Sequence, residues 1–183
     1  MQRLILASAS PRRRELLDLL GLEFEVIATG IEELTEGEPA VLVVENALRK
    51  ARAAARPSAV ALGVDTDVVL DGRLLGKPED AASAAARIRA LAGRTHAVLS
   101  GLALVTAADV RTELVRTEVT FRALTDSEVE TYVESGEWRD RAGGYAVQGL
   151  GSSLVAAIDG DLSNVIGLPL PALAEMIGKL QDP

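Results

Sequence analysis

The sequence predicts a mixed α/β chain, and three observations carry that prediction. Short apolar runs, Leu4–Ala7 and Val60–Val64, alternate with longer stretches whose apolar residues recur at helical spacing. Asp71-Gly72 lies between Val68–Leu70 and Arg73–Leu75, the signal of a two-residue hairpin. Ala97–Thr106 and Arg111–Arg122 read as long antiparallel strands around the turn 107–110. Helices between some strands and hairpins between others place the chain in the α/β or α+β class, as one compact domain over residues 1–183.

Taken in order, Arg3–Ala7 is a short buried strand, and Ser8-Ala9-Ser10 is a loop able to cap the helix that Pro11 opens. Leu16, Leu17, Leu19 and Leu20 give that helix one broad apolar face before Gly21 stops it. Phe24–Ala28 is a second strand, followed by a loop rich in Gly and Glu. A helix runs from Pro39 to Arg56, ended by Pro57. Val60–Val64 is a central strand that delivers Asp65 at or near its C-terminal end. Gly76-Lys77-Pro78 breaks the chain before an Ala-rich helix over 79–92. Thr125-Asp126-Ser127-Glu128 reads as a capped helix start and Gly136 as its end. Residues 137–151 are irregular, 153–158 form a strand, and the last helix covers 171–180.

Composition excludes several classes. Of the 183 residues 48% are hydrophobic, enough for one well-buried core. The net charge of −8 argues against a general nucleic-acid binder, which needs a basic face, but leaves room for a local basic pocket around a small anion. With no cysteine there is neither a disulfide nor a thiolate metal site, as suits a reducing cytoplasm. No run approaches the ~20 apolar residues of a membrane span, and Leu4–Ala7 is too short for a signal-peptide core.

Arg12, Arg13 and Arg14 crowd the first turn of a helix, the end that carries partial positive charge. They are either a solvated helix start or a phosphate seat, where helix N–H groups, the hydroxyls of Ser8 and Ser10 and guanidinium forks meet one anion. Asp65 and Asp67, two apart, would share a face and could share a metal if the strand continued; otherwise Asp67 points to solvent. One of Glu32 or Glu33 could reach a divalent cation, since Mg²⁺ takes one or two carboxylates with phosphate oxygens. Lysine is rare in this arginine-rich chain, so Lys50 and Lys77 stand out, the latter in a rigid Gly-Lys-Pro turn. Gly143-Gly144 lets backbone approach a ligand, and the Gln148 amide, donor and acceptor at once, suits a nucleobase edge. His96, the single histidine, packs or caps locally, which argues against a histidine triad or a zinc site.

In this order the segments resemble the Maf family of nucleoside triphosphate pyrophosphatases. The resemblance rests on Ser8-Ala9-Ser10-Pro11-Arg12-Arg13, Glu45 through Lys50-Ala51, Asp65-Thr66, Gly76-Lys77-Pro78, Ala142-Gly143-Gly144-Tyr145 with Gln148-Gly149, and Ser163 through Pro169. It implies a two-lobed fold around an elongated, bent mixed sheet, similar to the inosine triphosphatase architecture, with the active site in the cleft between the lobes. It further implies hydrolysis of a nucleoside triphosphate to monophosphate and pyrophosphate, a divalent cation (Mg²⁺ or Mn²⁺), a cytoplasmic and often dimeric protein, and no nucleic-acid or membrane partner. Arg12, Thr66 and Gln148 are similar to the branch acting on dTTP and UTP rather than the one acting on 7-methyl-GTP. Residue by residue, the resemblance makes Asp65 the general base or a metal ligand and Glu33, or its neighbour Glu32, a second ligand. Ser8, Arg12, Arg13, Lys50, Thr66, Lys77 and Gln148 become substrate contacts. Arg141 stands where the family often has Lys, and Asp161-Leu162 where Ser-Tyr is usual. Two competing readings are a non-catalytic nucleotide sensor, which would need the basic pocket but not Asp65, and a hydrolase of purine triphosphates such as ITP.

Overall fold

The computed structural model describes residues 3–181. Its elements are β1 (Arg3–Ala7), α1 (Pro11–Asp18), β2 (Phe24–Val26), α2 (Pro39–Ala54), β3 (Ala59–Leu70), β4 (Arg73–Leu74), α3 (Ala81–Leu91), β5 (Thr95–Val105), β6 (Val110–Phe121), α4 (Asp126–Ser135), β7 (Val155–Asp159), α5 (Leu162–Ile166) and α6 (Leu170–Gln181). Six strands lie in the order β2-β1-β3-β5-β6-β7, and β4 pairs with β3 to make the seventh. The sheet is mixed: β1 runs parallel to both β2 and β3, whereas β3–β4 and β6–β7 are antiparallel. The mixed α/β class expected from the alternation of helices and hairpins is the class observed.

The chain divides into two compact units, one made of residues up to Thr66, Leu99–Val115 and the segment from Gly167 onward, the other of Asp67–Val98 and Arg116–Ile166. In the first unit α2 covers the sheet with Ala47, Ala51 and Ala54, which pack on Ile5, Ala7 and Ala61. Two glycines bring the helix down onto the strands. A Cβ on Gly63 would stand 2.7 Å from the Ala51 nitrogen, and one on Gly101 2.6 Å from the Val44 Cα, so any side chain at either position would meet helix backbone. The second unit has its own core, with Ile88 and Leu91 of α3, Val129 and Tyr132 of α4, and Phe121 and Trp138 all buried.

Local signals placed β1 and α4 at their observed limits and most other elements within a residue or two of them. Asp71 (φ 51°) and Gly72 (φ 75°) form the tight turn between β3 and β4, with Leu70 paired to Arg73. The Thr125–Glu128 capping box and left-handed Gly136 bound α4 as the sequence predicts. Other limits moved. α1 ends at Asp18, which leaves Leu19 outside the helix and 73% exposed. Neither Ser8 nor Ser10 caps α1; the Ser10 side chain makes no capping bond, and Ser8 Oγ instead accepts the Ser10 N–H. β3 does not stop near Asp65 but continues to Leu70, because apolar Val68, Val69 and Leu70 prolong the buried strand beyond the polar triplet. The five-residue α5 was missed, being too short to show a period.

Candidate functional site

In the first unit the sequence-predicted residues gather around β3 and α2. Asp65 follows Gly63 by two residues on β3, so both point to the side that α2 covers. Asn46 and Lys50 are four apart on α2 and share its buried face with Leu42, Val43 and Ala47. The close seat at Gly63 lets both reach Asp65. Lys50 Nζ donates to Asp65 Oδ1 at 2.7 Å and Asn46 Nδ2 to Asp65 Oδ2 at 3.2 Å. The same ammonium meets Glu33 Oε1 at 2.5 Å and the Val64 carbonyl at 3.5 Å. Lys50 thus sits between two carboxylates, one on β3 and one on the acidic loop. Asn46 fixes that loop as well, because its Oδ1 accepts the Leu34 N–H at 2.7 Å and its Nδ2 donates to the Leu34 carbonyl at 3.0 Å.

Beside this cluster lies a second one, built on Arg13. Its guanidinium donates to Ser8 Oγ and Thr66 Oγ1, each at 3.2 Å, and to the Gly167 carbonyl at 2.9 Å. Thr66 Oγ1 in turn shares a 2.7 Å hydrogen bond with Ser100 Oγ. Burial pulls the Arg13 pKa below the ordinary arginine value, against the opposing pull of the negative charges on Asp65 and then Glu33. A partly buried cation of this kind is stabilised by an anion that reaches it. Arg12 is half-buried on the same turn, whereas Arg14 is exposed and lies among the residues around a surface cavity with Asp18, Leu22 and Phe24.

Lys77 and Gln148 belong to the second unit. Lys77 is exposed in the turn that follows β4. That turn is held by the Gly76 carbonyl, which accepts from Gly143 N–H at 2.8 Å and from Arg87 at 3.2 Å. Asp67 does not simply face solvent, since its Oδ1 accepts the backbone N–H groups of Val68 (2.7 Å) and Gly76 (3.0 Å). Gln148 is exposed and precedes a 3₁₀ turn over Gly149–Leu154 without capping it. His96 packs locally as expected, buried edge-on against Phe121 and Tyr145 with Nε2 at 2.8 Å from the Tyr145 hydroxyl. Burial pushes its pKa down to about 4.

The sequence reading missed Asn46, Ser100 and the Gly167 carbonyl. Asn46 left a usable signal, a polar side chain within the apolar stripe of α2 and four residues before Lys50. Gly167 lies in the Ser163–Pro169 segment that carries the resemblance, but its carbonyl had no assigned role, and Ser100 left no signal, because nothing local distinguishes it from an ordinary strand residue. Among the described residues no group of three or more His, Cys, Asp or Glu side chains is placed to hold a metal. The donors that do converge are the two carboxylates of Asp65 and Glu33, about one ammonium.

The fold and these clusters define a mixed α/β protein with a charged side-chain site built on one helix and the strand beneath it. Residues 3–180 match the family model described as Maf-like protein, and the chain belongs to the Maf family. It is 47% identical to a Deinococcus radiodurans protein named dTTP/UTP pyrophosphatase, over 96% of this chain and 91% of that one. A Moorella thermoacetica protein of the same name is 49% identical, over 97% of this chain and 94% of its own. A third, from Symbiobacterium thermophilum, is 45% identical over 100% and 96%. Among the described residues no helix is long and apolar enough to cross a membrane.

Proposed function

We propose that this chain is an enzyme, a single pyrophosphatase domain that hydrolyses nucleoside triphosphates, above all dTTP and UTP, to the monophosphate and pyrophosphate. The relatives' shared name supports the substrate class. The observation that carries the reading is the Asp65 carboxylate, held by Lys50 and Asn46 beside the half-buried Arg13. A binding protein for triphosphates needs the cations, but not a carboxylate positioned among them.

In this mechanism water attacks the α-phosphorus. A bond forms from the water oxygen to phosphorus, the bond from phosphorus to the bridging oxygen breaks, and pyrophosphate leaves with that electron pair. Asp65 accepts the proton of the water. Lys50 and Asn46 hold its carboxylate in one orientation, each through a different oxygen. Arg12, Arg13, Lys50 and Lys77 supply positive charge to the phosphates and to the departing pyrophosphate, and Ser8 and Thr66 complete the oxygen contacts. Gln148 reads the base edge. Asp65 and Glu33 would hold a divalent cation such as Mg²⁺ or Mn²⁺ once the Lys50 ammonium is drawn from between them, and phosphate oxygens and water would supply the rest of its ligands. Bound there, such a cation would lower the pKa of a ligated water and neutralise phosphate charge. We further infer a cytoplasmic location, where nucleotides are found and a chain without cysteine is at home.

Product analysis tests the reading. With dTTP and divalent cation, and no added pyrophosphatase, the expected primary products are dTMP and pyrophosphate in equal amounts. Release of inorganic phosphate with dTDP would make the chain a γ-phosphatase instead.

A further inference from the structure

In the second unit the segment around Gln148 is held from both sides by one helix. Tyr132, in the last turn of α4 and buried, accepts the Ala146 N–H on its hydroxyl at 3.0 Å. Glu137, just past the end of α4, accepts two N–H groups on its two carboxylate oxygens, Leu150 on Oε1 at 2.9 Å and Gly151 on Oε2 at 3.0 Å. Bonds of this kind to an ionised carboxylate are about twice as strong as neutral ones.

The device is itself braced. Gly136 ends α4 in the left-handed conformation. Ser135 Oγ accepts the Glu137 N–H at 3.2 Å, and Trp138 Nε1 donates to the Val133 carbonyl at 2.9 Å. Gly149 makes the approach of the carboxylate feasible, since it has φ +64° and a Cβ there would stand 2.5 Å from Glu137 Oε1. Between the two clamps lie Val147, Gln148 and Gly149, and Gln148 is exposed with its amide uncommitted to the turn it precedes.

We propose that Glu137 and Tyr132 are positioning residues for base selection: the end of α4 sets the place at which Gln148 meets the nucleobase. The inference rests on the reading of Gln148 as the residue that contacts the base. Tyr132 on the Ala146 side and Glu137 on the Leu150–Gly151 side together flank one exposed amide, which serves a purpose beyond closing a loop, because an amide at the tip of a mobile loop would pair with purine and pyrimidine edges alike.

The test measures kcat and KM for dTTP and dATP in the parent chain, Glu137→Gln, Gln148→Leu and the double variant. Glu137→Gln keeps the size of the side chain and one acceptor oxygen but loses the other. It is expected to lower the dTTP-over-dATP ratio of kcat/KM about threefold to tenfold, mainly through KM for dTTP, and to change the ratio no further once Gln148 is Leu. An equal loss for both nucleotides, or an undiminished effect in the double variant, overturns the positioning role while the Gln148 reading stands. A ranking that Gln148→Leu leaves untouched defeats the underlying reading instead, without reference to Glu137. Should Glu137→Gln lose its cooperative thermal transition, Tyr132→Phe, which removes a single oxygen from a buried ring, decides by the same criteria.

Discussion

Gly63→Ala tests how closely α2 must lie on β3 for the charged cluster to exist. The added Cβ would stand 2.7 Å from the Ala51 nitrogen and 2.9 Å from the Ala47 carbonyl carbon, inside the 3.0 Å limit that real Cβ atoms respect. Both neighbours are helix backbone, so no side chain can swing away, and the helix or the strand must shift by roughly 1 Å. Overpacking of a core costs about 1–3 kcal/mol, and a backbone-on-backbone clash belongs at the upper end. For a chain of this size that lowers Tm by roughly 5–10 °C. The same shift moves Lys50 and Asn46 away from Asp65, whose hydrogen bonds to them are 2.7 and 3.2 Å long. A displacement of about 1 Å in a catalytic group can cost up to ~10²-fold, so kcat/KM for dTTP is expected to fall at least tenfold. Thermal unfolding and dTTP turnover are measured side by side with Gly178→Ala, where among the described residues nothing beyond its own helix backbone lies within 4 Å of the new Cβ and a helical glycine is replaced. That control should be neutral or slightly stabilising. An unchanged Tm in Gly63→Ala, or a lowered Tm with normal turnover, would refute the link between close packing and the site.

Asp65→Asn keeps the shape but removes the charge, and turnover should drop by ~10²-fold or more while nucleotide binding, followed by calorimetry, survives; near-normal turnover would end the proposed role. Gln148→Leu should erode the preference for dTTP and UTP over dATP and 7-methyl-GTP more than it weakens general phosphate affinity, because an unpaired buried polar group costs ~1–3 kcal/mol; a substrate panel with unchanged ranking speaks against it. His96 has its pKa pushed down to about 4 by burial, against an ordinary value of 6.5. Between those two pH values the unfolded chain binds a proton that the folded chain does not, so stability is retained above pH 6.5 and falls as pH drops toward 4, by up to ~3 kcal/mol. Denaturant unfolding of wild type and His96→Phe across that window should show the steeper acid loss in wild type, and parallel profiles would contradict the assignment.

What the sequence determined by itself is the set of features that depend on neighbours within a few residues. The Asp71-Gly72 turn, the Thr125–Glu128 capping box and the Gly136 stop are settled by local sterics and short hydrogen bonds, and they stand where the sequence places them. The apolar stripe of α2 was equally legible, and with it the helix that carries Lys50. The candidate residues Ser8, Arg13, Glu33, Lys50, Asp65 and Thr66 were also visible, as residue types in suggestive company. Their partners were not. Apart from the resemblance, Lys50 stood out in the sequence only as a rare lysine, and the packing of α2 on β3 is what sets it between Asp65 and Glu33. Arg13 pairs with Thr66 and Gly167, and Thr66 with Ser100, across separations of 34 to 154 residues that no periodicity encodes. β3 runs on through Asp65 and Asp67 because the burial of Val68 to Leu70 outweighs the turn preference of the acids, a balance that exists only in the folded chain. Tertiary structure decides these points because the energies involved, desolvation and side-chain pairing, arise when distant segments exclude water together, whereas the local signals act before any such contact forms.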